Sequence, residues 1–185
     1  MVKETLNDAE SKMKKSIDAL RHHLSSIRTG RAAPALVEQI HAEYYGSSMP
    51  INQLGSVSAP DARSLVIQPW DQGALKAIEK AIQNSDLGIN PTNDGRVIRL
   101  VIPQLTEQRR KDLTKQVKKA VEESKVALRN VRRDSQNELK KLETDKQITA
   151  DDLKRGQEKL QELTDRYTRE MDHIGSAKEA DIMEV

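Results

Sequence analysis

The sequence predicts an α+β fold, in which three long amphipathic helices pack together and a small strand-rich domain is inserted between the first and second helices. Apolar residues repeat at alternating spacings of four and three along three segments that contain no proline. Prolines, turn residues and strand-like alternation concentrate between the first two of these segments, in residues 32–103. Each helix carries only a narrow apolar seam, so the three seams must face one another to be buried.

The first helix is predicted to end near Gly30, and Pro34 prevents any continuation. Its seam is formed by Leu6, Ala9, Met13, Ile17, Leu20, Leu24 and Ile27. A basic line beside the seam contains Lys14, Arg21 and Arg28, with Arg31 just past the helix end.

The inserted segment alternates apolar and polar residues in three places, around Ile40–Tyr44, Leu65–Ile67 and Ile98–Ile102, which is the period of a β-strand. Turns are predicted at Tyr45-Gly46, Asp61-Ala62 and Asn93-Asp94-Gly95, and one helix at residues 75–82. We expect Trp70 to be a packing residue of this domain; an exposed aromatic side chain there would instead indicate a protein contact.

The second helix is predicted from Thr106, which can cap its N-terminus, to about Lys146, without an internal proline or glycine. Its seam is predicted to contain Leu113, Val117, Ala120, Ser124, Ala127 and Val131. A basic stripe lies beside the seam at about 100° per residue, formed by Lys118, Lys125, Arg129 and Arg132, with Arg133 at its edge.

The basic stripe has two interpretations. Charged residues along a helix are often only a solvated face. Arginine, however, offers planar, bidentate donors to phosphate, and the first helix carries a basic line that bundle packing could join to the stripe. No aromatic residues interleave with these cations, so we predict contacts to an RNA backbone rather than stacking on bases.

The third helix is predicted to begin at a capping box formed by Thr149 and Asp152. Its seam contains Leu153, Gly156, Leu160, Leu163, Tyr167, Met171 and Ile174. Glycine lowers helix propensity by roughly 1 kcal/mol, so Gly156 on the seam suggests a close contact between helices.

Charge and composition restrict the functions. Residues 106–142 have a net charge of +6, whereas residues 143–185 have −5, so the basic excess is local. There is no cysteine, no signal peptide and no apolar run long enough to span a membrane. His22, His23, His41 and His173 have no metal-ligand spacing, and no phosphate-binding glycine motif is present. We therefore expect neither an enzyme nor a bound cofactor or metal.

The predicted domain boundaries place residues 1–30 and 106–185 in the bundle and residues 31–105 in the inserted domain. Two short connections near 31–35 and 102–105, each with a proline, should form a hinge. The predicted hinge residues are Arg31, Ala32, Ala33, Pro34, Ile102, Pro103, Gln104 and Leu105.

Five sequence motifs resemble those of the bacterial ribosome recycling factor family, and the resemblance covers essentially the whole chain. They are Ile27-Arg28-Thr29-Gly30-Arg31, Glu43-Tyr44-Tyr45-Gly46, Ser85-Asp86-Leu87-Gly88-Ile89-Asn90-Pro91, Pro103-Gln104-Leu105-Thr106-Glu107-Gln108-Arg109-Arg110-Lys111 and Arg129-Asn130-Val131-Arg132-Arg133. Two departures from the family pattern, Gln108 in place of an acid and Ile89 in place of leucine, leave the arginine pattern intact.

The resemblance implies a long antiparallel three-helix bundle with an inserted β/α/β domain, arranged in an L of transfer-RNA-like dimensions. It implies a cytoplasmic monomer that binds the post-termination ribosome along large-subunit ribosomal RNA. With the GTPase elongation factor G and its GTP, the protein would split the ribosome into subunits and release it from mRNA. By position, Arg28, Arg31, Arg129 and Arg132 match the family's RNA-facing arginines. The alternative is a passive ribosomal-RNA chaperone or assembly protein.

Overall fold

The structure, a computed structural model, describes residues 1–184 and contains five α-helices and six β-strands within that range. In chain order they are α1 (Val2–Ser25), α2 (Ala35–Glu38), β1 (His41–Tyr44), β2 (Ser47–Pro50), β3 (Gly55–Asp61), β4 (Ser64–Pro69), α3 (Leu75–Gln83), β5 (Thr92–Asn93), β6 (Ile98–Val101), α4 (Glu107–Thr144) and α5 (Ala150–Met183). No helix in this range is long and apolar enough to cross a membrane.

The chain divides into two compact units. The first contains Met1–Leu24 and Thr114–Asp181, and the second contains Ser25–Leu113 with the residues from Ile182 onward. The boundaries predicted from the sequence, after residues 30 and 105, lie six and eight residues from the divisions after Leu24 and Leu113, and they remain a prediction.

The first unit is a bundle of α1, α4 and α5. The backbone turns between Thr144 and Ala150, so α5 runs antiparallel to α4. Val2 lies beside Gly156 and, further along both helices, Arg21 pairs with Glu170. Residue numbers therefore rise in the same direction along α1 and α5, so these two helices are parallel. In this up–down–up order the apolar faces of the three helices pack against one another, as the sequence predicts.

The predicted seam of α4 is correct in its first half and wrong in its second. Ala127 is exposed, and Ser124 and Val131 are only partly buried. Fully buried positions follow instead at intervals of eleven residues, at Val117, Leu128 and Leu139. An α-helix has about 3.6 residues per turn. Its buried face therefore drifts away from a strict seven-residue repeat, at about 3.5 residues per turn, and follows an eleven-residue repeat, at about 3.67 residues per turn, more closely.

Two glycines allow the helices to approach closely in the bundle. A Cβ atom at Gly156 would lie 3.1 Å from Val2 Cγ1 and 3.3 Å from Leu139 Cδ1, which confirms the predicted close contact. Gly175, which the seam analysis omits, lies even closer to α4: a Cβ there would be 2.7 Å from Val121 Cγ2. Backbone contact at these positions brings α5 near both of its partners.

Helix caps fix where the two long helices begin. The Arg109 amide donates to Thr106 Oγ1 at 3.1 Å, at the start of α4. At the start of α5, the Thr149 amide donates to Asp152 Oδ2 and the Asp152 amide to Thr149 Oγ1, both at 3.1 Å. The predicted capping box is therefore confirmed, with aspartate in the place of the usual glutamate.

The second unit contains two antiparallel sheets, one formed by β1 and β2 and one with the strand order β3-β4-β6-β5. The hairpin between β1 and β2 turns at Tyr45 and Gly46, both with positive φ (50° and 77°), as a two-residue type I′ turn requires. Ile67, Ile98 and Leu100 are completely buried, and Ile78 and Ile82 of α3 join the same core. The predicted strands and helix are confirmed here, whereas β2, β3 and β5 are additional.

Candidate nucleic-acid interface

The basic stripe of α4 lies in the bundle, and its five members differ in exposure. Lys118, Arg129 and Arg133 are exposed, whereas Lys125 and Arg132 are half-buried because they flank the seam toward α5. Lys125 forms an ion pair with Asp172 of α5. The structure therefore keeps the five cations on one side of α4, with two of them at its border with α5.

Neighbouring polar groups orient the three arginines. Arg129 Nη2 lies 3.0 Å from Glu122 Oε1, about two turns earlier on α4. Arg132 Nη1 donates to Gln161 Oε1 of α5 at 3.3 Å. Arg133 Nη2 donates to Asn130 Oδ1 at 2.9 Å. Of these three partners only Glu122 is charged, so the guanidinium charges at 132 and 133 are available to an anion.

The acidic partners do not remove the cationic character of the stripe. The Arg129 and Glu122 side chains are 49% and 62% exposed, and an exposed ion pair of this kind contributes only about 0–1 kcal/mol. A phosphate can displace Glu122 at little cost, because the guanidinium can form bidentate contacts to phosphate oxygens. Electrostatically the face is suited to bind a polyanion.

Arg28 and Arg31 belong to the second unit, and the structure assigns both of them additional contacts. The prediction that α1 continues to Gly30 is wrong, because α1 ends at Ser25 and Arg28 lies beyond it. Arg28 Nη2 donates to the Pro103 carbonyl at 3.0 Å. Burial, and to a lesser extent nearby Arg109, lowers the pKa of the Arg28 guanidinium. Its side chain thus links the segment that precedes the first predicted hinge connection to Pro103 in the second connection.

Arg31 forms an ion pair with Glu184, with 2.5 Å between Nη2 and Oε1. The two side chains are 64% and 51% exposed, so the pair is accessible to competing ions. Both residues line a cavity of about 240 Å³ together with Ala62, Gln104 and Arg110. The cavity adjoins both predicted hinge connections, at Gly30–Arg31 and at Gln104–Leu105.

The two predicted hinge connections are also held by backbone hydrogen bonds. The Ala32 amide donates to the Ala62 carbonyl at 2.8 Å, and the Ile102 amide donates to the Arg63 carbonyl at 2.7 Å. Both connections are therefore tied to the turn between β3 and β4. Gly30 has φ +84°, a conformation that glycine adopts readily, so the chain can turn sharply five residues after the end of α1.

The expectation that Trp70 is a packing residue is wrong, because its side chain is 70% exposed. Pro69, immediately before it, is buried and ends β4, which turns the indole outward. Nearby, Tyr45 is 87% exposed and its ring meets that of Tyr44 edge to face, with centroids 4.5 Å apart. The Tyr44 hydroxyl donates to Asp71, which raises the pKa of that phenol to about 12. Exposed tryptophan and tyrosine are typical of protein contacts.

Within residues 1–184, no group of histidine, aspartate and glutamate side chains is arranged to hold a metal ion. The carboxylate of Glu10 contacts Arg166 and Tyr167, and this contact is internal to the bundle. The hydrogen bond from Tyr167 contributes most to lowering the pKa of Glu10, which keeps this carboxylate ionised beside its cationic neighbours. It therefore has the properties of a structural group rather than a proton donor.

The architecture defines a class of protein in which a three-helix bundle carries a cationic face and an inserted small sheet domain. The family model described as ribosome recycling factor matches residues 20–183. The chain belongs to the ribosome recycling factor family. Membership in this family of translation factors also supports the prediction that the chain is not an enzyme.

Ribosome-recycling factors of other bacteria are similar to this protein in sequence along the whole chain. The ribosome-recycling factor of Roseiflexus castenholzii is 62% identical and that of Chloroflexus aggregans 58% identical, each over 185 residues and 100% of both chains. A solution structure of a ribosome recycling factor has a TM-score of 0.78 at 44% identity and covers 100% of this chain and 98% of that one. A second structure has a TM-score of 0.69 at 46% identity with complete coverage of both chains; it is the T. thermophilus ribosome recycling factor, described with E. coli elongation factor G bound to the E. coli post-termination complex.

Sequence reasoning missed the polar partners of the predicted site. Asp172 and Gln161 lie eleven residues apart on α5, so they recur on one side of that helix and meet Lys125 and Arg132 in turn. A helical projection of α5 shows that Asp172 and Gln161 share one side, but only the antiparallel register of α5 with α4 determines which cation each of them meets. No sequence pattern around Glu184 predicts its contact with Arg31.

Proposed function

We propose that this chain acts as a ribosome recycling factor on the post-termination ribosome, together with elongation factor G. The stripe formed by Lys118, Lys125, Arg129, Arg132 and Arg133 binds the phosphate backbone of large-subunit ribosomal RNA, and Arg28 and Arg31 add contacts from the second unit. This activity belongs in the cytoplasm, where the chain works as a monomer.

One observation carries the proposal: five cations share one side of α4 with a single carboxylate, Glu122, paired among the arginines on that helix. Lys125 and Arg132 are held against α5, so part of their conformational freedom is already lost before RNA binds. A rigid helix with preoriented donors recognises the shape and charge of a backbone and needs no base-specific contact.

The proposed mechanism is mechanical. Elongation factor G hydrolyses the GTP and displaces the inserted domain, residues 31–105, against the bundle of residues 1–30 and 106–185. The connections near 31–35 and 102–105 serve as the hinge, and the long helices carry the displacement to the contacts between ribosomal subunits. Helices of 38 and 34 residues suit this role because they transmit force with little bending.

The alternative is a passive chaperone or assembly protein that binds ribosomal RNA by the same face. Sedimentation of post-termination ribosomes separates the two functions. With the chain, the GTPase and GTP present together we expect free subunits and released mRNA, whereas omitting either protein should leave intact ribosomes. Binding of the chain without GTPase-dependent splitting would favour the passive alternative.

A further inference from the structure

The bundle has a second surface feature, a groove between the N-terminal halves of α1 and α5, that no step of the recycling mechanism uses. Its volume is about 760 Å³. Its floor contains the apolar side chains of Val2, Leu6 and Leu163, and its rim contains the cations Lys3, Lys159 and Arg169. We call this the α1–α5 groove.

The floor of the α1–α5 groove is apolar but not covered. Val2, Leu6 and Leu163 are all only partly buried, although each is on or beside the seam of its helix. Val2 Cγ1 also lies 3.1 Å from the Cβ position of Gly156, so no larger residue of α5 fills the groove at that end. The bundle therefore leaves apolar surface between two parallel helices where a further helix could pack.

The rim of the groove carries unbalanced positive charge. Arg166 pairs with Glu10 at 2.5 Å, so these two charges of the lining cancel. Among residues 1–184, Lys3, Lys159 and Arg169 take part in no ion pair, and Glu162 is the remaining carboxylate of the lining. The groove also begins at the N-terminus of α1, whose dipole favours negative charge.

From this combination we propose that the α1–α5 groove docks an acidic amphipathic helix of a protein partner. Apolar side chains on one face of that helix would cover the floor, and its carboxylates would meet the three rim cations, completing a four-helix arrangement. Between Val2 and Glu10 the groove follows α1 for about 12 Å, which is two to three turns of a helix. An RNA backbone would match the rim but would leave the apolar floor uncovered, so protein is favoured.

A peptide probe tests the groove without ribosomes. The probe is a fluorescent amphipathic helix with leucines at positions i, i+3, i+4 and i+7 and glutamates elsewhere, and fluorescence anisotropy measures its binding. The paired change Lys159→Glu and Arg169→Glu should weaken binding at least about tenfold. The matched change Lys140→Glu and Lys154→Glu, at exposed positions outside the groove lining, should have little effect.

A probe that does not bind, or that binds both variants as it binds the parent, would overturn the proposal. So would tighter, groove-dependent binding of a single-stranded RNA oligomer than of the peptide. Circular dichroism of each variant shows that helix content is retained, and Leu6→Gln provides a second variant that removes apolar floor without reversing charge.

A cross-linking experiment then identifies the class of partner on purified post-termination ribosomes with elongation factor G. A photoreactive phenylalanine analogue replaces Asn7, which is exposed and lines the groove. We expect an adduct with a protein that disappears when Lys159→Glu and Arg169→Glu are introduced. Adducts with ribosomal RNA alone, or no adduct, would overturn the proposal, while sedimentation of the same sample reports separately whether the chain splits ribosomes.

Discussion

Arg132 of α4 donates a hydrogen bond from Nη1 to Gln161 Oε1 of α5, 3.3 Å away. The bond holds a half-buried guanidinium at the edge of the seam with its charge uncompensated by that partner. Arg132 is therefore both a contact between two helices and the central cation of the basic stripe, with Lys125 and Arg129 within two turns of it.

Replacing Arg132 by alanine should separate these two roles. A charge-assisted hydrogen bond contributes about 1.5–3 kcal/mol, so ribosome affinity should fall roughly tenfold or more. The fold should persist, because only one exposed hydrogen bond between α4 and α5, from Arg132 to the uncharged Gln161, is lost. Ribosome binding and circular dichroism would be measured on the same preparations. Arg155→Ala is the matched control, since Arg155 is an exposed arginine of α5 outside the stripe. A folded Arg132→Ala protein with parental affinity would show that the binding face is elsewhere.

The salt dependence of binding tests whether the stripe replaces counterions on RNA. Each neutralised phosphate contributes to a linear fall of log affinity with log salt. Replacing Arg129 and Arg132 together by alanine should make the slope shallower by about two units. The measurement is a titration of ribosome binding at several salt concentrations for the parent and the double variant. If the parent itself shows a flat response, the stripe is only a solvated face.

The main features of the fold can be predicted from the sequence because apolar periodicity is strong where a helix or strand faces a core. It fails where few side chains of an element are buried. The edge strand β3, Gly55–Asp61, pairs through its backbone while most of its side chains are exposed, and it includes Pro60, so no alternation marks it. The seven-residue repeat also fails over the 38 residues of α4, because a small error per turn accumulates until Ala127 points to solvent.

The candidate site is predictable only in part. One helix suffices to collect Lys118, Lys125, Arg129, Arg132 and Arg133 on one side, because spacing along a single helix determines their direction. Their partners Asp172 and Gln161 depend on the register between two helices, which is set by close contacts such as Gly175 against Val121. Whether Trp70 is buried depends on the path of the chain after β4, and composition does not encode that path.

Gly175→Ala tests the close approach of α4 and α5. The added Cβ would lie 2.7 Å from Val121 Cγ2, and the stiff, branched valine has little freedom to move. Overpacking costs typically about 1–3 kcal/mol, and removing glycine from a helix returns up to about 1 kcal/mol. We therefore expect the free energy of unfolding to fall by about 1–2 kcal/mol, measured by urea denaturation.

Two further variants make that result specific. Val121→Ala in the Gly175→Ala background should recover part of the loss, because it removes the methyl group that the new Cβ meets. Gly156→Ala should change stability less, since the added Cβ would lie 3.1 Å from Val2, the first residue of α1, rather than 2.7 Å from a valine inside a long helix. Equal effects at Gly156 and Gly175, or no coupling with Val121, would contradict the packing account.

Trp70→Ala tests whether the exposed indole contacts a protein. Because the side chain is 70% exposed, unfolding free energy should change by no more than about 0.5 kcal/mol. Ribosome binding through α4 should persist, whereas splitting in the presence of the GTPase should slow several-fold or more. Val101→Ala is the matched control, because Val101 is another apolar residue of the same unit with 70% exposure. Parental splitting by Trp70→Ala would leave the indole without a role in recycling.

The hinge can be tested by cross-linking Ala62, at the turn between β3 and β4, to Glu184, which follows α5. Both residues line the 240 Å³ cavity beside the predicted hinge, and the chain has no natural cysteine, so Ala62→Cys and Glu184→Cys introduce the only thiols. A short, cleavable bis-thiol reagent should then prevent the two hinge connections from rotating. We expect ribosome binding to persist, because the stripe on α4 is untouched, and subunit splitting to be nearly lost.

Each single-cysteine variant treated with the reagent controls for chemical modification, and Glu184→Cys alone also controls for loss of the ion pair with Arg31. Cleaving the reagent should restore splitting to the rate of the unlinked double variant, as measured by sedimentation with elongation factor G and GTP. A hinge fixed by the cross-link cannot transmit work from the GTPase. If the cross-linked protein splits ribosomes at that rate, rotation of the inserted domain against the bundle is therefore not required. The protein would then act as a rigid wedge, and Pro34 and Pro103 would only connect the inserted domain to the bundle.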